Sequence, residues 1–306
     1  METRNITLVE VGPRDGLQSE PEILPTDSKV KFIELAIEAG LTRLEVASFV
    51  HPKRVPQMAD AEALIERLPD IDGVSYIGLV MNERGLDRAL ETKIHEIGMV
   101  VVASDTYNRK NQGVGTDESI AAWRAIARRA QDRGLRTNVM ISSAFGCPYE
   151  GEISVARVVE IAKQVVEAQP AELGIADSIG VAVPGQVTEL LGSIRDVISD
   201  LPIRCHFHNT RNTGLANAQA AVDSGVTYLD ASIGGIGGCP FAPAATGNIP
   251  TDDLLYMLDR SGIVTGVSLE KIIQVSEWLA AELGRGVPAM LPKAGVFPRS
   301  EQGASD

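Results

Sequence analysis

A chain of 306 residues, 44% hydrophobic and 23% charged, has an ordinary globular composition and enough apolar material for one core of α/β-barrel size. Its formal charge of −13, with no dense Lys/Arg run, argues against bulk nucleic-acid binding and means that an anionic substrate needs a local cation. Cys147, Cys205 and Cys239 are odd in number and far apart, which argues against a disulfide framework and points to a reducing, cytoplasmic setting, while no apolar run reaches the ~18 residues of a membrane span.

Short β-branched runs alternate with segments of helical periodicity. The first strand is expected at Ile6–Val11, followed by the turn Gly12-Pro13-Arg14-Asp15-Gly16-Leu17-Gln18. In that turn Asp15 can ligate a cation and Arg14 can hold an anion through paired hydrogen bonds; a local ion pair in a plain turn is the alternative. A helix is expected over Asp27–Ala39 and a strand over Arg43–Val46. Glu45 lies near the end of that apolar strand, and an inward carboxylate there needs a partner or a metal. Further strands are expected at Val74–Val80, Ile94–Val102, Arg136–Ser142 and Glu172–Ala176. Helices are expected at Asp117–Arg133, with Asp117 as N-cap, and at Val155–Ala168 and Gln186–Ser199. Cys147 follows the fifth strand and reads as a buried structural cysteine, and Asp177 follows the sixth as a second acid at a strand end.

The seventh strand, Ile203–Phe207, runs into His206-Phe207-His208. Residues i and i+2 of a strand share a face, so two of the chain's four histidines are presented together, either as a metal half-site or as structural residues. A helix at Asn212–Asp223 and a strand at Thr227–Ser232 lead to a glycine-rich loop, Gly234–Asn248, which carries Cys239. Glycine lets such a loop move and lets backbone approach a ligand, so Cys239 is a candidate acid or base on a lid; an incidental cysteine is the alternative. A last helix is expected over Leu269–Leu283. Strand alternating with helix means parallel βαβ units, and eight strands point to a closed (β/α)8 TIM barrel over about residues 5–262, with a C-terminal helical extension over about 263–306. The scarcity of aromatic residues, 4%, predicts a core mostly of Val, Ile, Leu and Ala, the residues that fill barrel interiors. An open doubly wound sheet is the competing fold, weakened by the lack of a Gly-x-Gly-x-x-Gly turn after the first strand.

Taken in order, Val9–Gln18, Ser48-Phe49-Val50, Val55-Pro56-Gln57-Met58, Gly146–Gly151, Asp177-Ser178-Ile179-Gly180, His206-Phe207-His208, Gly237–Ala242 and Thr246-Gly247-Asn248 resemble the 3-hydroxy-3-methylglutaryl-CoA lyase family of barrel metallolyases, related to isopropylmalate synthase. The resemblance implies a retro-Claisen lyase of a 3-hydroxyacyl-CoA that works as a homodimer, without nucleic-acid or membrane partners. It implies Asp15, His206, His208 and Asn248 as ligands of Mg²⁺ or Mn²⁺, and Arg14 at the thioester carbonyl with Gln18 and Ser48 as further substrate contacts. It implies Cys239 as mobile-loop acid/base, and Glu45 and Asp177 as supporting or proton-handling groups. Where the lyases usually read His-x-His-Asp-Thr-Tyr-Gly, this chain has Asn209 and Arg211, which makes Arg211 a candidate contact for a different substrate acid group. Lys110, beside Asn111 and Gln112, is a candidate contact for the CoA nucleotide. A Claisen-condensing synthase and a metal-dependent 4-hydroxy-2-oxoacid aldolase are the competing activities on the same barrel.

Overall fold

In a computed structural model, residues 4–198, 200–238 and 247–298 are described. The strands, in chain order, are β1 (Thr7–Glu10), β2 (Arg43–Ser48), β3 (Ser75–Leu79), β4 (Glu96–Val102), β5 (Arg136–Ser142), β6 (Gly146–Cys147), β7 (Gly151–Glu152), β8 (Glu172–Asp177), β9 (Ile203–Phe207) and β10 (Tyr228–Ala231). All but β6 and β7 close into one parallel barrel, in the order β1-β10-β9-β8-β5-β4-β3-β2. The expected strands are therefore present, each within about two residues of its expected ends, which is the ordinary uncertainty of such boundaries. The small antiparallel hairpin β6–β7, which carries Cys147, had no sequence signal beyond its glycines.

Outward-facing strand residues meet the apolar stripes of the surrounding helices. On the helix Thr116–Gln131, Ile120, Trp123, Ile126, Ala127 and Ala130 recur at helical spacing and are all buried, and the Trp123 indole N–H donates to the carbonyl of Val165 on the next helix at 2.9 Å. Asp117 is not the N-cap of this helix. Gly115 is, and the Glu118 carboxylate accepts its N–H, so that Asp117 sits in the first turn. The segment beyond residue 262 belongs to the same core: Leu269, Ile272, Val275 and Leu279 are buried, and Trp278 packs its ring against Phe32 of the helix Thr26–Glu38 at 6.1 Å. No helix among the described residues is long and apolar enough to cross a membrane.

The barrel interior departs from the expected apolar filling. Val9, Val11 and Ile77 form a small apolar cluster, but the rest of the inner space toward the strands' N-terminal ends is charged. Arg43 bonds Glu96 and Glu172, the latter at 2.6 Å, and Ser75 donates to Glu96. Arg136 lies 3.4 Å from both Glu96 and Glu172, and Arg204 lies 3.2 Å from Glu172 and 3.3 Å from Asp230. Three arginines thus face three carboxylates contributed by β2, β4, β5, β8, β9 and β10. Burial of so many charges is tolerated because each has an opposite partner. Hydrogen bonds from Arg43 and its positive charge outweigh the burial that would push the Glu96 carboxyl up, and hold it below the ordinary range.

A second buried acid ties the top of the barrel together. Glu10, at the end of β1, accepts the backbone N–H groups of Gly12 and Ile233 and the hydroxyl of Thr251. Burial outweighs these three donors and lifts its carboxyl from an ordinary 4.5 to about 8.

Two outcomes follow. Arg43→Met strips the shared cation from Glu96 and Glu172 and is expected to destabilise the fold by about 3–5 kcal/mol in denaturant titrations, with the deficit narrowing as pH falls and the orphaned carboxyls take up protons. Glu10 holds a proton in the folded chain that an unfolded chain releases above 4.5, so its contribution is complete below that value and is lost as pH rises through about 8. Unfolding stability should therefore decline across that window by at most about 1.4 kcal/mol per pH unit from this group, and Glu10→Gln, which keeps the geometry, should flatten the decline.

Candidate active site

A cleft of about 1250 Å³ opens at the C-terminal ends of the barrel strands. Its deepest part is built from the turn after β1. Residues Gly12–Gly16 form a single wide helical turn in which the N–H groups of Arg14, Asp15 and Gly16 all donate to the Val11 carbonyl, with Pro13 fixing the entry. This points Arg14 and Asp15 into the cleft together. Arg14 donates from Nε to Glu45 at 2.6 Å and from Nη1 to Asp15 at 2.7 Å, and Nη2 makes no hydrogen bond among the described residues. Glu45 faces inward beside an irregularity in the β2–β3 register at Val46, the kind of bulge that re-aims side chains near sites. The guanidinium is thus fixed on two sides with one edge left for a ligand.

Asp15 Oδ2 accepts from Asn248 Nδ2 at 2.9 Å, which bridges the first and last barrel loops. Asn248 is placed by pairing with His208 just beyond β9, and Gly237 closes over it: with φ at +103°, a Cβ there would sit 2.8 Å from Asn248 Nδ2. Strand alternation carries Arg204, His206 and His208 onto one side, as two-residue periodicity requires. The ligand atoms of Asp15, His206 and His208 lie within 4.8 Å of one another. Burial would raise the Asp15 carboxyl, but Arg14 and the two histidines outweigh it and bring it down to about 2. Burial, with His206 alongside, pushes His208 down to about 3, which leaves a neutral imidazole. Burial also works against a charged His206, but the hydrogen bond and charge of Asp230 prevail and raise it.

These residues fit a divalent cation. Two buried acceptors in the group, His208 Nδ1 and Asn248 Oδ1, have no hydrogen-bond partner among the described residues. The Asn248 amide nitrogen is spent on Asp15 and the Ile236 carbonyl, so its oxygen is the free end. One ionised carboxylate, two imidazoles and an amide oxygen suit Mg²⁺ or Mn²⁺.

Other expected site residues lie elsewhere. Gln18 lines the cleft, and its Oε1 is buried without a hydrogen-bond partner among the described residues. Ser48 is fully buried below the cleft, its hydroxyl facing the N–H of Val50 at 3.4 Å. Asp177 is turned away from the cleft onto the backbone N–H groups of Val181 and Ala182, where it shapes the loop after β8; burial, only partly countered by those N–H groups, raises its carboxyl. Arg211 donates to the carbonyls of Ile179 and Gly180 and does not line the cleft, so the geometry does not support its reading an acid group there. Asn209 accepts the N–H of Gly214, the first residue of the helix Gly214–Asp223, a bond that a carboxylate there would also make. Lys110 stacks its ammonium over the Tyr149 ring at 5.0 Å outside the cleft lining, which its neighbours Asn111 and Gln112 join. Cys239 lies outside the described residues; Gly238, just before it, lines the cleft and accepts a 2.6 Å hydrogen bond from Ser19.

Sequence reasoning missed Arg204, Asp230 and Asn138, which form the cleft floor. Two of them carried a signal: Arg204 stands two residues before His206, and Asp230 is a carboxylate in an apolar strand, like Glu45. Comparison with known proteins agrees with the geometry. The HMGL-like family model matches residues 5–279. The chain is 43% identical to the (R)-citramalyl-CoA lyase of Chloroflexus aurantiacus, over 96% of each chain. It is 40% identical to a hydroxymethylglutaryl-CoA lyase of Bacillus subtilis, over 94% of this chain and 96% of that one. Among solved structures it superposes with a TM-score of 0.93, at 38% identity and 97% coverage of both chains, on an HMG-CoA lyase from Acinetobacter baumannii in complex with coenzyme A and 3-methylmalate. A parallel eight-stranded barrel, an Asp-His-His cluster at its mouth and these relatives lead to one conclusion: the chain belongs to the HMGL-like family of lyases.

Proposed function

We propose that this chain is a divalent-metal-dependent carbon–carbon lyase that splits 3-hydroxy-3-methylglutaryl-CoA, or a close 3-hydroxyacyl-CoA relative, into acetyl-CoA and a keto acid. One observation supports this reading above all. The Asp15, His206 and His208 ligand atoms, with the Asn248 oxygen nearby, sit in the same cleft as the Arg14 guanidinium, and neither that oxygen nor Arg14 Nη2 has a hydrogen-bond partner among the described residues.

The reaction breaks the C2–C3 bond. The C3 hydroxyl gives up its proton and becomes the ketone of the keto acid, and the bonding electron pair moves onto the thioester as an enolate. A proton then returns to C2 and gives acetyl-CoA, so atoms and charge balance. A cation held by Asp15, His206, His208 and Asn248, Mg²⁺ or Mn²⁺, supplies Lewis acidity at the C3 hydroxyl oxygen when bound. Glu45, a cleft-lining carboxylate outside that ligand set, is the candidate acceptor of the hydroxyl proton. Arg14 Nη2 meets the thioester oxygen as it gains charge. Because Glu45 and Asp15 already fix the guanidinium, little reorganisation is needed at that moment. Gln18 Oε1 offers an acceptor to the substrate. Cys239, two residues beyond a glycine of positive φ and next to the cleft-lining Gly238, is the proposed donor of the proton to C2.

A second reading is supported by the 43% identity to an (R)-citramalyl-CoA lyase. If the substrate's acid group is attached directly to C3, the same bond cleavage yields pyruvate in place of acetoacetate.

EDTA-stripped protein mixed with each of the two thioesters, with and without Mg²⁺ or Mn²⁺, tests both readings. Metal-restored release of acetyl-CoA with acetoacetate or with pyruvate in equal amounts is expected, and loss of release in Cys239→Ala would support the loop donor. Pyruvate from CoA-free 4-hydroxy-2-oxoacids, with no acetyl-CoA from either thioester, would favour the aldolase instead. In a separate kinetic comparison, Arg14→Lys keeps the charge but loses the forked donor edge. It should lower kcat about 10²–10³-fold while Mn²⁺ affinity holds; a kcat near wild type would remove Arg14 from the oxyanion role.

A further inference from the structure

His206 does not stand alone in the barrel. Its Nδ1 lies 3.1 Å from Asp230 Oδ2, and Asp230 is 2% exposed. Arg204 Nε lies 3.3 Å from the other Asp230 oxygen, and Arg204 Nη1 lies 3.2 Å from Glu172. Glu172 is in turn bonded to Arg43 at 2.6 Å, and Arg43 to Glu96. A continuous chain of buried opposite charges thus runs from the floor of the barrel, where Arg43 and Glu96 sit at the starts of their strands, up to the imidazole at the cleft.

We infer that Asp230 is a positioning residue for His206, and that the buried ion ladder through Arg204, Glu172 and Arg43 holds the Asp230 side chain in place. This rests on the metal-binding reading above. A carboxylate oxygen accepts, so the 3.1 Å contact with Asp230 places the His206 N–H on Nδ1 and leaves Nε2 as the nitrogen open to a cation. Arg204 holds Asp230 from the other side. Its Nε faces Asp230 at 3.3 Å and its Nη1 faces Glu172 at 3.2 Å, so it reaches the cleft floor already paired with two carboxylates. His208 makes the contrast: no carboxylate bonds its ring among the described residues, and its buried, unpartnered Nδ1 is the nitrogen left for a cation. The arrangement explains why a barrel interior carries charge at all, since six ionisable side chains are costly to bury unless their geometry serves something at the end of the line.

The test uses the full chain, stripped with EDTA and titrated calorimetrically with Mn²⁺, for wild type and Asp230→Asn. Thermal unfolding in EDTA serves as the readout of a purely structural role. Mn²⁺ affinity is expected to fall about 10–100-fold in Asp230→Asn, measured at a temperature where the metal-free Tm, lowered by the loss of one partner of Arg204, shows the variant still folded. Equal Mn²⁺ affinity in the two proteins, with binding intact in wild type, overturns the inference and leaves the lyase reading standing. Absence of Mn²⁺ binding by wild type overturns the lyase reading itself. Nitrogen-15 NMR of the wild-type imidazoles gives a check that does not depend on the variant folding: His206 protonated at Nδ1 in the metal-free protein supports the assignment, and the Nε2-protonated tautomer overturns it.

Discussion

The structure depends on how charge is accommodated inside a closed barrel. Moving a carboxylate or guanidinium out of water is costly, and the cost is offset only where an opposite charge waits at hydrogen-bonding distance. Here those partners come from different strands. Arg43 of β2 reaches across the interior to Glu172 of β8, and Arg204 of β9 reaches both β8 and β10. Such contacts constrain strand register more tightly than apolar filling would, because a hydrophobic side chain can repack whereas a guanidinium between two carboxylates has few alternatives. The apolar residues that sequence reasoning assigned to the interior are mostly on the other side of the strands, under the helices.

That rigid floor carries a site assembled from the ends of the chain. Asp15 comes from the first barrel loop and Asn248 from the last, and one hydrogen bond joins them. Glu10 and Asp252 brace the same seam from beneath. Glu10 holds Gly12 and Ile233, while Asp252 accepts the Gly234 N–H and the Ser276 hydroxyl. Ser276 lies on the helix Leu269–Glu282, so the C-terminal segment supports the glycine-rich loop directly. The candidate ligand cluster is therefore pre-organised by contacts that close the barrel.

The legible part of the site was the part written in local patterns. Two-residue periodicity put His206 and His208 together, and the Gly-Pro-Arg-Asp-Gly turn at a strand end announced Arg14 and Asp15. Glu45 was visible as an acid in an apolar strand, although nothing local said that its partner would be Arg14. Illegible were the contacts between residues far apart in sequence. Glu10 finds Thr251 across 241 positions, and Arg43 finds Glu172 across 129. Asp177 shows the limit in the other direction: an acid at a strand end looks like a site residue, but two nearby backbone N–H groups had the stronger claim on it.

The departures from the usual lyase pattern at Asn209 and Arg211 bear on substrate choice by where they sit. Asn209 accepts the N–H of Gly214 and Arg211 ties down the carbonyls of Ile179 and Gly180, and neither lines the cleft. Differences at these positions are therefore uninformative about the acid group on C3. Discrimination between an acid attached directly to C3 and one a methylene further away is a matter of depth and polarity at the cleft floor, where Asn138, Met140, Ser142, Ser178 and Arg204 lie. Arg204 is already neutralised by Glu172 and Asp230, which weakens it as a reader of a distal carboxylate. One methylene in a pocket is worth about 1–3 kcal/mol of discrimination. A floor built from a flexible Met140 and small polar groups is suited to differences of that size rather than to absolute exclusion.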